Sequence, residues 1–247
     1  PVQGDVRQLL ELLLAENYVP NEVHEPWVRW CRMMVEKYPA CLPEYHQDAM
    51  LNPYVFVDEM FRQMNEKDIL TLGNGSACVM TFQGAKIKQG QRMFTNSGCA
   101  AMGYGMPAAL GAAVAAGADN RVICIDGDGS LMMNLQELET ISFNKLNVKL
   151  FILNNDGYHS IRQTQKNLFH NQLVGLDRTS GVGFPDFGKL ADAFGFTYFE
   201  VFSESNLTEV LEKALNADGP VMCNVVVDPE QNFVPKLSSK VLPDGRI

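Results

Sequence analysis

The sequence predicts an α/β fold: a three-layer architecture in which a parallel sheet carries helices on both faces. Three observations support this. Short apolar runs alternate with stretches of helical periodicity along most of the chain. The runs are apolar at successive positions rather than at every second one, the pattern of strands buried on both faces. Glycine clusters close three of them, at Gly73, Asp126 and Asn154, where strand ends meet helix starts and ligands of open parallel sheets sit.

Taken in order, residues 4–16 and 26–38 carry helical periodicity, separated by a polar turn. Residues 39–52 are irregular and proline-containing and read as a linker. Asn52-Pro53 is a cap followed by proline at the first helical position, opening a helix over 54–64. Strands are expected at 69–72, 92–95, 122–126, 148–154, 197–202 and 221–228, and helices at 103–116, 134–143, 186–194 and 206–217. The chain opens PVQGDVRQLLELLLAE, almost directly into a helix and without Met, which reads as the C-terminal piece of a longer polypeptide.

Composition narrows the function classes. A net charge of −9 across 247 residues would repel nucleic-acid phosphates. The chain lacks a run of about 18 apolar residues, so a membrane span is not expected. The six cysteines have no pairing rhythm and no CxxC, which fits a reduced, cytoplasmic setting. The four histidines form no zinc-type cluster.

The informative stretch is VICIDGDGSLMMNLQEL, 122–138. Two aspartates at the end of a buried strand cost desolvation energy unless a cation or donors meet them. Turn chemistry alone is one reading. An EF-hand loop is disfavoured, because Leu131 stands where its sixth-position glycine belongs. The DxDGS pattern is also similar to haloacid-dehalogenase phosphatases, but the later strand ends lack the acidic pair those enzymes need. A dinucleotide fold would require GxGxxG after a first strand, and that spacing does not occur.

The fourth reading joins two strand ends. Gly127-Asp128-Gly129-Ser130, followed 24 residues after Ser130 by Asn154-Asn155, resembles the GDG…NN signature of thiamine-diphosphate enzymes. The spacing suits one helix and the next parallel strand. Asp128, Asn155 and the Gly157 carbonyl would offer three oxygens to Mg²⁺, a hard cation that shares its octahedron with phosphates. Gly129 and Ser130 would present N–H groups to the diphosphate, and Asp126 is read as structural. The segment Ser97-Gly-Cys-Ala-Ala-Met102-Gly-Tyr-Gly-Met-Pro107 resembles the acetolactate-synthase-type branch. That resemblance implies a Met102 wedge beneath the thiazolium and an Ala100 carbonyl accepting from the 4′-amino group. The competing reading makes Met102 the first residue of a buried helix.

Gly73-Asn-Gly75-Ser76-Ala77-Cys78 is similar to the family's diphosphate loop, with Ser76-Ala77 replacing the Gln-His of authentic synthases. Asn154 to Gln165 resembles the family's post-NN helix, bringing Tyr158 and His159 to the site, while Ser160 and Thr164 replace the usual Met and Trp. GYxSIRQTQ variants of this kind look like synthase-like enzymes of bacterial sugar and polysaccharide pathways. His159 is a candidate acid/base, against a solvent-facing loop histidine.

The resemblance implies a middle-domain tail and linker over 1–51, a diphosphate/Mg²⁺-binding domain over 52–230 and a C-terminal tail over 231–247. It further implies thiamine diphosphate with Mg²⁺, a 2-keto acid substrate and lyase or transferase chemistry. The partners implied are a second subunit's pyrimidine-binding domain, carrying the activating glutamate, and a homodimer or homotetramer. Flavin use is left open. A module that keeps the cofactor-binding fold without the chemistry is the alternative.

Overall fold

The computed structural model describes residues 3–17, 19, 21–46, 50–117 and 120–235. The chain divides into two compact units, 1–39 and 40–247. The first contains α1 (Val6–Ala15), capped by the Asp5 carboxylate, which accepts from the N–H groups of Arg7 and Gln8, and α2 (Glu25–Lys37), where Trp27 and Trp30 stack. Residues 40–46 and 50–51, read as linker from sequence, belong to the second unit. There Cys41 and Tyr45 pack on its core, and Leu51 bridges Val227.

The second unit begins with α3 (Pro53–Gln63). Asn52 caps it by accepting from the Tyr54 N–H at 2.9 Å, and Pro53 sits at its start, as the Asn-Pro pair predicts. The order continues β1 (Ile69–Leu72), α4 (Ser76–Gly84), β2 (Arg92–Thr95), α5 (Gly105–Ala116), β3 (Val122–Gly127), α6 (Asp128–Leu131) and α7 (Glu137–Phe143). It closes with β4 (Val148–Asn154), α8 (His159–Leu168), α9 (Phe187–Phe194), β5 (Thr197–Val201), α10 (Glu204–Asn216) and β6 (Val221–Val226).

Six parallel strands lie in the order β2-β1-β3-β4-β6-β5. Two separate cores, one on each face, confirm the three-layer expectation. One gathers Phe56, Phe61, Leu70, Ile123, Phe151 and Leu211; the other gathers Met106, Cys124, Leu150, Ile152, Phe187 and Met222. Neighbouring strand residues such as Ile123 and Cys124 point into opposite cores, which is why the runs are apolar at every position.

The structure also corrects the sequence reading of several helices. Helix α4 was not expected: Ser76-Ala-Cys-Val-Met-Thr81 has no polar face to mark a period, and a glycine cluster masks its start. The helix expected over 134–143 begins at Glu137, after the one-turn α6 and a 3₁₀ turn at Met132–Asn134. The helix expected from Gly103 begins at Gly105. Of the 231–247 tail, residues 236–247 lie outside the described residues.

Candidate functional site

The strand order changes direction between β1 and β3, so their C-terminal ends open a crevice. The register pairs Leu72 with Ile125 and Gly127 with Leu153, which brings the Gly73, Asp128 and Asn155 turns together at the tops of β1, β3 and β4. A cleft opens there. Gly75, Ser76, Ala77, Met102, Asp128, Gly129, Ser130, Asn155, Gly157, Tyr158 and His159, all expected at the site, line it. Ala100 lines an adjoining cleft that shares Asn74, Gly75 and Ser160 with the first.

Asp128 is 1% exposed. Its Oδ1 accepts from the Gly129 N–H at 2.7 Å and its Oδ2 from the Gly157 N–H at 3.0 Å, while the Asn155 N–H also faces the carboxylate. Burial nevertheless outweighs these donors and pushes its pKa up to about 6. Among the described residues, the buried Asn155 Oδ1 has no hydrogen-bond partner. Asn155 and Asp128 line the same cleft, so an amide oxygen and a carboxylate there are the groups that could hold a cation.

Asp126 is fully buried and plays a different part. A Cβ on Gly73 would stand 1.8 Å from its Oδ1, and one on Gly105 2.7 Å from its Oδ2. Both glycines let their turns close over this carboxyl. Its pKa is likewise pushed by burial to about 6.

Met102 is 41% exposed in the turn before α5 and lines the cleft, so the buried-helix reading fails. The turn is clamped from below: the Gly103 N–H donates to Ser130 Oγ at 2.9 Å, and Asn134 Nδ2 donates to the Gly103 carbonyl at 2.6 Å. The Ala100 carbonyl accepts from the Asn74 side-chain amide, and Ala100 itself has φ 51°.

His159 is not solvent-facing, as a loop histidine would be; it is 6% exposed. Nδ1 lies 3.2 Å from the Pro229 carbonyl, Nε2 lies 3.0 Å from Gln163 Nε2, and the ring meets Phe233 edge-on. Asn74 and Ile161 also line the cleft and were not singled out from sequence, although Asn74 lies inside the GNGS cluster.

Residues 73–225 match the family described as "Thiamine pyrophosphate enzyme, C-terminal TPP binding domain". The chain belongs to that family. Among curated relatives it is 29% identical to an acetolactate synthase large subunit of Cyanidium caldarium over 95% of this chain and 40% of the relative. It is 30% identical to the isozyme 1 large subunit of Escherichia coli, again over 95% and 40% of the two chains. For the large subunit of Pyropia yezoensis the figures are 33%, 96% and 40%. The chain thus spans about 40% of the length of these relatives.

As a TPP-binding domain of acetolactate-synthase-like type, the fold places its paired motifs on adjacent strands. Among the described residues no helix is long and apolar enough to cross a membrane.

Proposed function

We propose that this chain is the thiamine-diphosphate- and Mg²⁺-binding part, over 52–230, of an enzyme acting on a 2-keto acid by decarboxylation, with or without carboligation. The observation that supports this most is the orphaned Asn155 Oδ1 in the same cleft as the buried Asp128 carboxylate, at neighbouring strand ends. The donor set of carboxylate, amide oxygen and backbone carbonyl suits a hard divalent cation rather than zinc. Asp128, Asn155 and Gly157 would hold the cation. Backbone groups of Gly75 and of Ser76 and Ala77 at the start of α4, and of Gly129 and Ser130, would receive the diphosphate.

When bound, the cofactor supplies a nucleophilic carbon and an electron sink for loss of carbon dioxide from a keto acid. The chain's own residues bind and orient it. Asp128 would offset part of the cation's charge, Met102 would support the cofactor from its clamped turn, and the buried ends of β3 and β4 would keep water from that side. The resemblance further supports a homo-oligomer in which a partner subunit's pyrimidine-binding domain completes each site.

Titrating the full-length protein with thiamine diphosphate in the presence and absence of Mg²⁺, then screening pyruvate and other 2-keto acids for carbon dioxide release, tests this. Binding and turnover that both need Mg²⁺ are expected. Metal-independent cofactor binding would count against the assignment. So would full-rate decarboxylation by the 247-residue chain without a partner.

A further inference from the structure

Arg162 lies on α8, just beyond the Asn154–Gly157 turn, and is 6% exposed. Its guanidinium sits in a cage of main-chain oxygens. Nη1 donates to the carbonyls of Asn155 at 3.4 Å and Pro229 at 3.3 Å, and Nη2 to those of Asn155 at 3.5 Å and Asp156 at 3.3 Å. The Asp177 carboxylate, 3.5 Å from Nη2, supplies the counter-charge. Gly157 leaves room for this cage: a Cβ there would stand 2.9 Å from Nη2 and 2.4 Å from the Leu176 carbonyl, at a φ of +154°.

A buried guanidinium needs a counter-ion and filled donor positions. Asp177 alone would meet the charge. The remaining donors reach the Pro229 carbonyl and two successive carbonyls of the loop in which Asn155 Oδ1 is orphaned. Groups that hold a ligand loop in place without touching the metal set how well its oxygens are presented. Lysine cannot reproduce this, because a point charge lacks the planar fork that spans neighbouring acceptors.

We infer that Arg162 is a positioning residue for the divalent cation, fixing the Asn155–Gly157 backbone so that its oxygens are presented to an ion held by Asp128. The inference rests on the reading proposed above and deepens it. Pro229, whose carbonyl is shared by Arg162 and the His159 ring, ties the segment after β6 to the same loop.

The test uses Mn²⁺ as probe in the full-length protein with thiamine diphosphate, free Mn²⁺ being read by electron paramagnetic resonance. Arg162→Met and Arg162→Lys should raise the Mn²⁺ Kd by about 10–100-fold. Asp177→Asn, which keeps a capping oxygen, should raise it by less. At saturating Mg²⁺, kcat should return to within about threefold of the parent, because occupancy restores the loop. Should Arg162→Met fail to fold, the other two variants decide. Mn²⁺ Kd values within twofold of the parent in both, whatever the melting temperature does, would overturn the inference and leave Arg162 a purely structural ion. Asp128→Asn separates the two levels: if it binds Mn²⁺ as the parent does, the metal site itself is wrong and the role of Arg162 falls with it.

Discussion

The Asp128 carboxylate accepts the Gly157 N–H at 3.0 Å, a hydrogen bond between residues 29 positions apart. It joins the turn after β3 to the turn after β4, so that the two motif halves form one site. The carboxylate pays for its burial with too few donors, and its raised pKa records the deficit.

Asp128→Asn should therefore separate stability from function. In metal-free protein at pH 8 the neutral amide escapes the desolvation that raises Asp128 to about 6, but its Nδ2 would face one of the Gly129 and Gly157 N–H donors, so the two effects oppose and stability should change by no more than about 1 kcal/mol. The stabilisation that Mg²⁺ with cofactor gives the parent, about 2.7 kcal/mol at a hundredfold excess over Kd, should vanish. Thermal melts with and without ligand measure both. A variant still stabilised by Mg²⁺ would contradict the ligand role.

Metal binding should weaken as pH falls. Asp128 must lose its proton to hold a cation, so affinity should be full above about pH 6 and decline towards about tenfold per unit below it. For metal-free protein the sign is opposite. Asp126 and Asp128 both titrate near 6 when folded, above the ordinary aspartate value near 3.9. The folded state therefore holds more protons between those values. Stability from this source is present below about pH 4 and is lost as pH rises through about 6. Calorimetric titration across pH 5–8 checks the first statement and metal-free melts check the second.

Met102→Ala should leave the fold almost unchanged, within about 0.5 kcal/mol, because Met102 is 41% exposed and belongs to neither face's core. Turnover in the full-length enzyme should drop by on the order of 10–100-fold if Met102 shapes the reacting geometry. An unchanged kcat would remove the wedge role.

Gly73→Ala should do the reverse, damaging the fold first. Its Cβ would stand 1.8 Å from Oδ1 of Asp126 and 3.2 Å from the Asp126 Cα, with no room for either to retreat. Overpacking of this kind costs about 1–3 kcal/mol, or roughly 2–4 °C in Tm per kcal/mol for a chain of this size. A melting temperature equal to the parent's would show that the turn is looser than its packing implies.

The sequence by itself determined the layered α/β class and most element positions, because each has a local cause, while the cleft residues followed from the motifs' family resemblance, with Asn74 and Ile161 escaping it. Apolar runs such as Val148–Asn154 are buried on both faces. Asn52-Pro53 starts a helix through its own cap, and the two glycine-flanked motifs must fall at strand ends when a helix separates them. Helix α4 escaped because a segment with little polar surface has no period to read. Only the tertiary structure decided which polar groups find partners. Arg162 looked like one residue of an ordinary helix, yet its guanidinium is enclosed by Asn155, Asp156, Asp177 and Pro229. The His159 ring turns to a carbonyl 70 residues away, while Asn155 Oδ1 is left without a partner among the described residues. Burial and pairing are sums over elements far apart in the chain, and no local pattern carries them.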